Sequence, residues 1–463
     1  MQNLNSQMGK ALLLLTKTEK HVFISGQAGT GKSTLLDYSL TLLQDKNVVV
    51  VAPTGVAALN VNGETIHHFL RLKPGASQQE VIEEAQLAKK TKLAKLYQSL
   101  EILIVDEISM VRADLFDQMD LYLRTIRRNR LPFGGVRMVL FGDLYQLPPV
   151  IKHEEEAAFR QVYETPYFFS SHVFQHWREK EHFCNFAYVE LEKIYRQTDE
   201  KFIDFLTQIR HNTLTEDDLV RINDRVLEIS SLDDIEPSYV ILTTTKAQAQ
   251  KINLERLSHL SGKAIRFIAQ SSGRFNETNF PTDENLILKV GARVMFLNND
   301  SDGRWVNGST GEVTSIDTKN KMVFVQLDDG VEVTVASHTW ETSESNFDLL
   351  AGKIKRQITG SFIQLPLKLA WAITIHKAQG KTFPKLVIDL ERGAFAAGQT
   401  YVAFSRGTCL SGLNLLRPLQ LTDVQLDPQM LAFLQQLPAD LAAGREQKAI
   451  PRLIDDEEQN TLF

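Results

Sequence analysis

Two groups of residues in this chain have the types and spacing for phosphate chemistry. The first is Gly26-Gln27-Ala28-Gly29-Thr30-Gly31-Lys32-Ser33-Thr34, which fits G-x-x-x-x-G-K-[ST]. Glycines let successive backbone N–H groups turn inward on phosphate oxygens, and the N-terminus of a following helix adds partial positive charge. Lys32 suits the β- and γ-phosphates of ATP, and Ser33 offers a hydroxyl to Mg²⁺. Gly26 and Ala28 through Thr34 are therefore the candidate nucleotide cradle. The second group is Asp106-Glu107, well downstream. An aspartate at a strand end holds Mg²⁺ directly or through water, and the adjacent glutamate is placed to orient or deprotonate an attacking water. Gln146, in Gly142-Asp143-Leu144-Tyr145-Gln146-Leu147-Pro148-Pro149, can sense the γ-phosphate, and the stiff Leu-Pro-Pro turn can pass that state on.

These residues need strands to hold them. Val22 to Ile24 read as a buried parallel strand, and Thr34 to Leu43 as the helix after it. Ile102 to Val105 and Met138 to Phe141 are further buried strands, the first ending at Asp106-Glu107 and the second running into the loop that carries Gln146. An amphipathic helix is expected from about Met8 to Thr16. Gln7 ahead of it carries an amide able to donate to and accept from an adenine edge. Asn47 to Leu59 reads as a strand, then the turn Pro53-Thr54-Gly55, then a small-residue helix start. Exposed N–H groups and a threonine hydroxyl there suit a phosphate of a polynucleotide backbone. In Gly63-Glu64-Thr65-Ile66-His67-His68-Phe69, His67 and Phe69 fit either sugar and base contacts or simple packing. Gln78 to Leu100 is a charged helical stretch after a Pro-Gly break, an expected small insertion whose Lys89, Lys90 and Lys92 form a solvated face.

Composition sets the frame. With 463 residues, two or three domains are expected, and 43% hydrophobic with 23% charged content is ordinary for a globular protein. The two cysteines, Cys184 and Cys409, lie far apart, so neither a disulfide framework nor a zinc site is expected, and a cytosolic location fits. No apolar run at the N-terminus is long enough for a signal or membrane segment. Net charge is −6, of which the stretch from Leu421 onward, with eight acidic and three basic side chains, supplies most. A nucleic-acid site must then be a local groove rather than a basic face.

The ordered runs GQAGTGKST, APTGVAAL, GETIHHF, LIVDEISMV and FGDLYQLPPV resemble those of superfamily-one helicases. The acid-rich helix from Asp114 with Pro132-Phe133-Gly134-Gly135 resembles the signature of the PIF family within it. RecD-type helicases resemble the chain more weakly. The second half continues the likeness. Leu191-Glu-Lys-Ile-Tyr195-Arg196-Gln197 is similar to the family's fourth motif, and Tyr401-Val-Ala-Phe-Ser405-Arg406 to its sixth, which implies Arg196 and Arg406 as arginine fingers. Arginine suits that role through its permanent charge and bidentate fork. Trp371 to Phe383 is similar to the fifth motif, with Ala378 where the family more often has serine. The resemblance implies a nucleotide contact at Gly380 and DNA contacts at Thr243, Asn307, His376, Lys377 and Gln379.

It also implies an α/β fold: two RecA-like P-loop NTPase domains in tandem, at 1–190 and 191–420. A small helical insertion at about 62–100 lies in the first, and a small β-barrel insertion at about 298–360 in the second. The expected function is an ATP- and Mg²⁺-dependent DNA helicase moving 5′→3′ on single-stranded DNA, acting as a monomer in genome maintenance. A DNA-independent ATPase or nucleotide kinase is the alternative, and ATP turnover indifferent to single strands would favour it. Residues 421–463 form a C-terminal extension ending in Gln459-Asn-Thr-Leu462-Phe463. That run resembles the short peptide by which bacterial replication and repair proteins dock on the sliding clamp.

Overall fold

The computed structural model describes residues 5–91, 93–178, 185–273, 275, 280–348 and 353–443. Its first layer is a six-stranded sheet of β1 (His21–Gly26), β2 (Val48–Ala52), β3 (Glu64–Thr65), β4 (Ile102–Val105), β5 (Arg137–Gly142) and β6 (Phe186–Leu191). The spatial order is β3-β2-β4-β5-β1-β6, and every pairing is parallel. Strands buried on both faces need continuous apolar runs, which β1, β4 and β5 supply. The register sets Ser25 beside Gly142, and Val105 beside Leu140. The carboxyl ends of β1, β4 and β5 therefore open on one edge of the sheet, where such sheets bind ligands.

The acid-rich segment forms helix Ala113–Arg127. Its Asp120 carboxylate accepts the Phe133 N–H at 2.7 Å, and Arg127 donates to the Gly134 carbonyl at 2.7 Å. Phe133 and Gly134 both take positive φ, and a Cβ on Gly134 would meet the Leu123 carbonyl at 2.7 Å. Phe133 is thereby turned inward between Phe116 and Trp177, each at 5.0 Å between rings. The Pro-Phe-Gly-Gly run thus locks the end of this helix into the core. Helices Gln78–Lys89 and Leu93–Ser99 pack against the same helix.

The second sheet is parallel, with the order Ala372–Thr374, Val240–Thr243, Leu386–Asp389, Leu413–Leu415. Buried Asn253 ties helix Lys246–His259 to its edge, donating to the Ala372 carbonyl at 2.7 Å and accepting its N–H at 3.0 Å. Inserted in sequence between Val240–Thr243 and Ala372–Thr374 is a five-stranded antiparallel sheet, Glu332–Val335, Met322–Leu327, Thr310–Asp317, Arg293–Phe296 and Leu367–Leu369. It therefore draws on residues outside the expected 298–360. Strands His338–Asp348 and Lys353–Gln364 instead pair as a long antiparallel ribbon that reaches the first domain. There the Glu64 carboxylate accepts the Ser345 N–H at 2.9 Å, and Asn47 accepts the Ile354 N–H at 3.0 Å.

The chain past Leu421 also returns to the first domain. Helix Pro428–Ala443 buries Met430, Phe433, Leu437 and Leu441, and Phe433 stacks on Phe169 at 4.1 Å. Among the described residues, no helix is long and apolar enough to cross a membrane. Gln459 to Phe463 and Cys184 lie outside the described residues.

Candidate nucleotide cleft and nucleic-acid interface

The glycine loop follows β1, with Gly29 and Gly31 at φ +83° and +82°, values that side chains disfavour. Gly31 caps helix Lys32–Leu42, so the helix N-terminus faces the loop. Lys32 donates to the Gly26 and Gln27 carbonyls at 2.6 and 3.0 Å. Burial lowers its pKa, while Asp143, Glu107 and Asp106 raise it. Asp106 and Glu107 follow β4 and line the same edge. Burial raises the pKa of both carboxyls, and their mutual repulsion raises that of Asp106 further. Gly142 makes room for this turn, since a Cβ there would meet Ile108 Cγ2 at 2.8 Å.

Among the described residues, no cluster of three or more His, Cys, Asp or Glu side chains could hold a metal alone. Mg²⁺ needs no such cluster, since it binds through one or two carboxylates together with substrate phosphates and water. Asp106 and the Ser33 hydroxyl are the donors available. The crowding of Asp106 and Glu107 is what a cation would relieve.

The second domain closes this edge. The Tyr401 hydroxyl accepts the Ala28 N–H at 3.1 Å, inside the phosphate loop. Tyr195 donates its N–H to the Gly29 carbonyl at 2.8 Å. Arg406 is fully buried and donates to the Val402 carbonyl at 2.9 Å and the Ser405 hydroxyl at 2.7 Å. Burial, then the charge of Arg196, lowers its pKa to about 9. Half-buried Arg196 donates to the Ser405 carbonyl at 3.3 Å. Of the two arginines implied as fingers, Arg196 therefore lies against Gly29 of the glycine loop, and both donate to backbone carbonyls of the sixth motif. Gln146 donates to Asp143 at 3.1 Å. Asp143 is fully buried and pairs with Arg210 at 3.4 Å, while Arg210 also reaches Glu190 at 3.1 Å and lies 4.0 Å over the Tyr145 ring.

Four expectations change. Gln379, implied as a DNA contact, instead enters the nucleotide cleft and donates to Glu107 at 3.2 Å and to Gln146 at 3.1 Å. Phe69 is buried against Tyr97, with ring centroids 5.2 Å apart, so its role is packing and it cannot stack on a base here. Thr243 is also buried, and its hydroxyl donates to the Thr245 carbonyl at 3.0 Å to shape the entry of helix Lys246–His259. The Gln7 amide oxygen accepts the Glu192 N–H at 2.9 Å, tying the first helix to the segment after β6, so that atom is taken from adenine recognition.

Asp143, Arg210 and Tyr401 belong to the cleft but carried no assigned role from sequence. Asp143 and Tyr401 lie inside runs that the motifs already mark. Arg210 sits in an ordinary amphipathic helix, Glu200–His211, and nothing local sets it apart.

The other residues implied as DNA contacts have these surroundings. Thr54 caps helix Gly55–Asn60 by accepting the Ala57 N–H at 3.2 Å, with Pro53 before it and Gly55 as the first helical residue. His67 is half-buried, and burial lowers its pKa. Asn307 donates to Asn60 at 3.2 Å, a contact between the two domains, and accepts from Lys381 of its own domain. His376 and Lys377 occupy helix Ile375–Ala378. Burial, then Lys368, depresses the Lys377 pKa, which marks a concentration of positive charge. Phe395, 63% exposed, lies parallel to His376 with rings 6.4 Å apart. Gly380, at φ +79°, adjoins Gln379 at the border of the two regions.

Residues 10–219 match the model of the PIF1-like helicase family. The ATP-dependent DNA helicase Pif1 of Bdellovibrio bacteriovorus is 32% identical over 94% of this chain and 92% of its own length. The human ATP-dependent DNA helicase PIF1 is 33% identical over 92% of this chain, which spans 63% of the human protein's length. Bacteroides Pif1 in complex with ADP-AlF4 is 35% identical, covers 95% of this chain and 98% of its own, and superposes with a TM-score of 0.83. Over the same shares of both chains, the structure of Bacteroides Pif1 bound to single-stranded DNA is 34% identical and gives 0.65. A relative above 30% identity matched over nearly its whole length, on top of a shared arrangement of two sheets, means that this chain belongs to the PIF1-like helicase family.

Proposed function

We propose that this chain is an ATP-dependent DNA helicase that moves 5′→3′ along single-stranded DNA and separates duplexes in genome maintenance. The observation that carries the reading is the convergence of two domains on one cleft. Lys32, Asp106, Glu107 and Gln146 come from the first sheet, and Arg406, Tyr401 and Gln379 from the second. A site built across two bodies is made or broken by their relative motion, so phosphate chemistry and movement are linked. In this reading Lys32 neutralises the β- and γ-phosphates and Glu107 takes a proton from the attacking water. Arg196 and Arg406 leave their backbone carbonyls for the phosphoryl oxygens. Ser33 and Asp106 would hold Mg²⁺, which supplies charge neutralisation at the phosphates when bound.

Pro53, Thr54, Gly55 and His67 grip the strand from one domain, and Asn307, His376 and Lys377 from the other. Opening a base-pair step takes only about 1.4 kcal/mol, so alternation of these grips sets the outcome. The test is unwinding of matched duplexes with a 5′ or a 3′ tail, with and without ATP. Unwinding of the 5′-tailed duplex alone, dependent on ATP, is expected. Equal or reversed preference removes the polarity, and ATP turnover indifferent to single strands removes the helicase.

The chain acts as a monomer in the cytoplasm in this reading, and Gln459 to Phe463 docks on a sliding clamp. Leu462 and Phe463 would fill an apolar pocket with Gln459 at its rim. Titration of a C-terminal peptide with a bacterial clamp should show micromolar binding that is lost on Leu462→Ala/Phe463→Ala. Absence of binding at several hundred micromolar removes that partner.

A further inference from the structure

Glu107 and Gln146 both belong to the first domain and flank the position of an attacking water in the reading above. One side chain from the second domain touches both. The Gln379 amide nitrogen lies 3.2 Å from Glu107 Oε2 and 3.1 Å from Gln146 Oε1. Its two hydrogens suffice for both acceptors. The Gln146 amide is completed on the other side, since its own NH₂ donates to the buried Asp143 carboxylate at 3.1 Å. The amide orientations are therefore mutually consistent: Gln379 can only donate to Gln146 if Gln146 turns its oxygen outward, and the Asp143 carboxylate requires that same orientation.

What carries Gln379 matters as much as what it touches. It directly follows helix Ile375–Ala378, which holds His376 and Lys377, the strand candidates of the second domain. The turn is capped by the Thr374 hydroxyl, which accepts the Lys377 N–H at 3.3 Å. The carbonyls of Ala378 and Lys381 on either side accept from Arg406 at 3.5 and 3.3 Å. A shift of this short segment on strand binding would move Gln379 and the Arg406 anchor points together. No other described side chain donates to Glu107 and Gln146 at once.

We propose that Gln379 is a positioning residue that couples strand occupancy to ATP hydrolysis. Without a strand, its amide holds Glu107 and Gln146 to each other rather than to water. When His376 and Lys377 engage a strand, the segment withdraws the amide and both groups become available. This rests on the helicase reading and deepens it, because it names the residue through which the strand side reaches the phosphate side.

The test measures steady-state ATP turnover of the full chain, with and without saturating oligothymidylate, together with strand affinity by fluorescence anisotropy. Gln379→Met keeps the volume and removes the donor, and Gln379→Ala provides a second variant should the first fold poorly. The expected result is a higher strand-free kcat and a fold-stimulation by oligothymidylate reduced about five-fold or more, the range of ordinary coupling between sites. Strand affinity should stay within about three-fold, since the donor acts on the cleft. Unchanged stimulation, with both rates scaled together, overturns the proposal and leaves Gln379 a packing residue. A large loss of strand affinity overturns it too and restores Gln379 as a strand contact. Wild-type turnover without any stimulation would instead sink the helicase reading, so the two failures are distinguishable.

Discussion

The nucleotide cleft and the surface proposed to grip the strand are made by the same two domains in opposite ways. In the cleft, buried charged and polar groups already hold one another: Asp143 with Arg210, Gln146 with Asp143 and Gln379, Tyr401 with the Ala28 N–H. Around Thr54, His67 and Asn307 the residues are exposed or half-buried, and Asn307 itself reaches the first domain through Asn60. Fixed dipoles in a low-dielectric site stabilise developing charge without reorganising, so the cleft suits chemistry. A sparse polar surface lets a strand be gripped and released, so the other side suits movement. The family resemblance to Pif1 proteins covers both regions, but the cleft carries the denser network of buried polar contacts.

The sharpest break of this comparison is a variant that removes chemistry and keeps the strand. Lys32→Ala or Glu107→Gln should lower ATP turnover by more than about 10³-fold, because phosphoryl transfer depends on charge stabilisation and a placed base. Oligothymidylate binding measured by anisotropy should stay near wild type. Loss of both functions together would show that the two regions are one. Arg406→Ala comes next and should cost on the order of 10³-fold in kcat, as arginine fingers do. The Arg406 fork rests on backbone carbonyls and the Ser405 hydroxyl, and its pKa is lowered by burial. Near-normal turnover of that variant would take Arg406 out of the chemistry.

The same comparison explains which residues could be read from sequence. The Lys32 loop is a local object: one strand, one turn and one helix fix it, so spacing alone finds it. Asp106 and Glu107 are marked by the apolar strand before them. Phe69 and Thr243 were open to misreading because an apolar or hydroxyl side chain in a motif suits a ligand or a core equally. Burial decides in favour of the core for both. Gln379 is only three residues from His376 and shares its motif, yet the turn after Ala378 sends it into the nucleotide cleft. Arg210 had no local signal, since its partners are distant in sequence, Asp143 in the loop after β5 and Glu190 in β6. The helical lock at Phe133 likewise needed the Asp120 contact, thirteen residues earlier, to become visible.

The strand surface makes a smaller and salt-dependent prediction. With roughly four to six phosphate contacts, log K against log salt for a single strand should slope about −3 to −4. Between 50 and 200 mM salt, that is a loss of about 10²-fold in affinity. ATP affinity without a strand should change far less, because the cleft groups are shielded from screening. A flat strand response would mean that the grip is not a set of phosphate contacts.

Within the cleft, stability and function should oppose each other. The Asp106 pKa is raised by burial and by Glu107. A carboxyl with a raised native pKa contributes stability in its protonated form, fully present below about 4, the ordinary aspartate value, and lost as pH rises through the raised value. Asp106→Asn removes the charge, so it should stabilise the metal-free protein at pH 7.5 by about 1–3 kcal/mol and abolish turnover. The gain should vanish in melts at acid pH. A destabilised variant at pH 7.5 would show that Asp106 holds the fold through contacts other than charge.

The smallest expected effect lies at the Asn60–Asn307 contact, and its sign is informative. Asn307 gives its amide to Asn60 at 3.2 Å, accepts from Lys381, and donates its own N–H to Asn299 at 2.8 Å. Its polar atoms are therefore engaged, and a strand must compete for them. Of the two Bacteroides arrangements, the present one is further from that bound to single-stranded DNA. The Asn60 contact then belongs to the state a strand has to leave. Asn60→Ala removes one net hydrogen bond from that state, about 0.5–1.5 kcal/mol. Strand affinity should rise about two- to ten-fold by that amount, with kcat at saturating strand unchanged. Weaker binding would instead make Asn60 part of the grip, and a fall in kcat would tie this contact to the cleft and erase the division between the two regions.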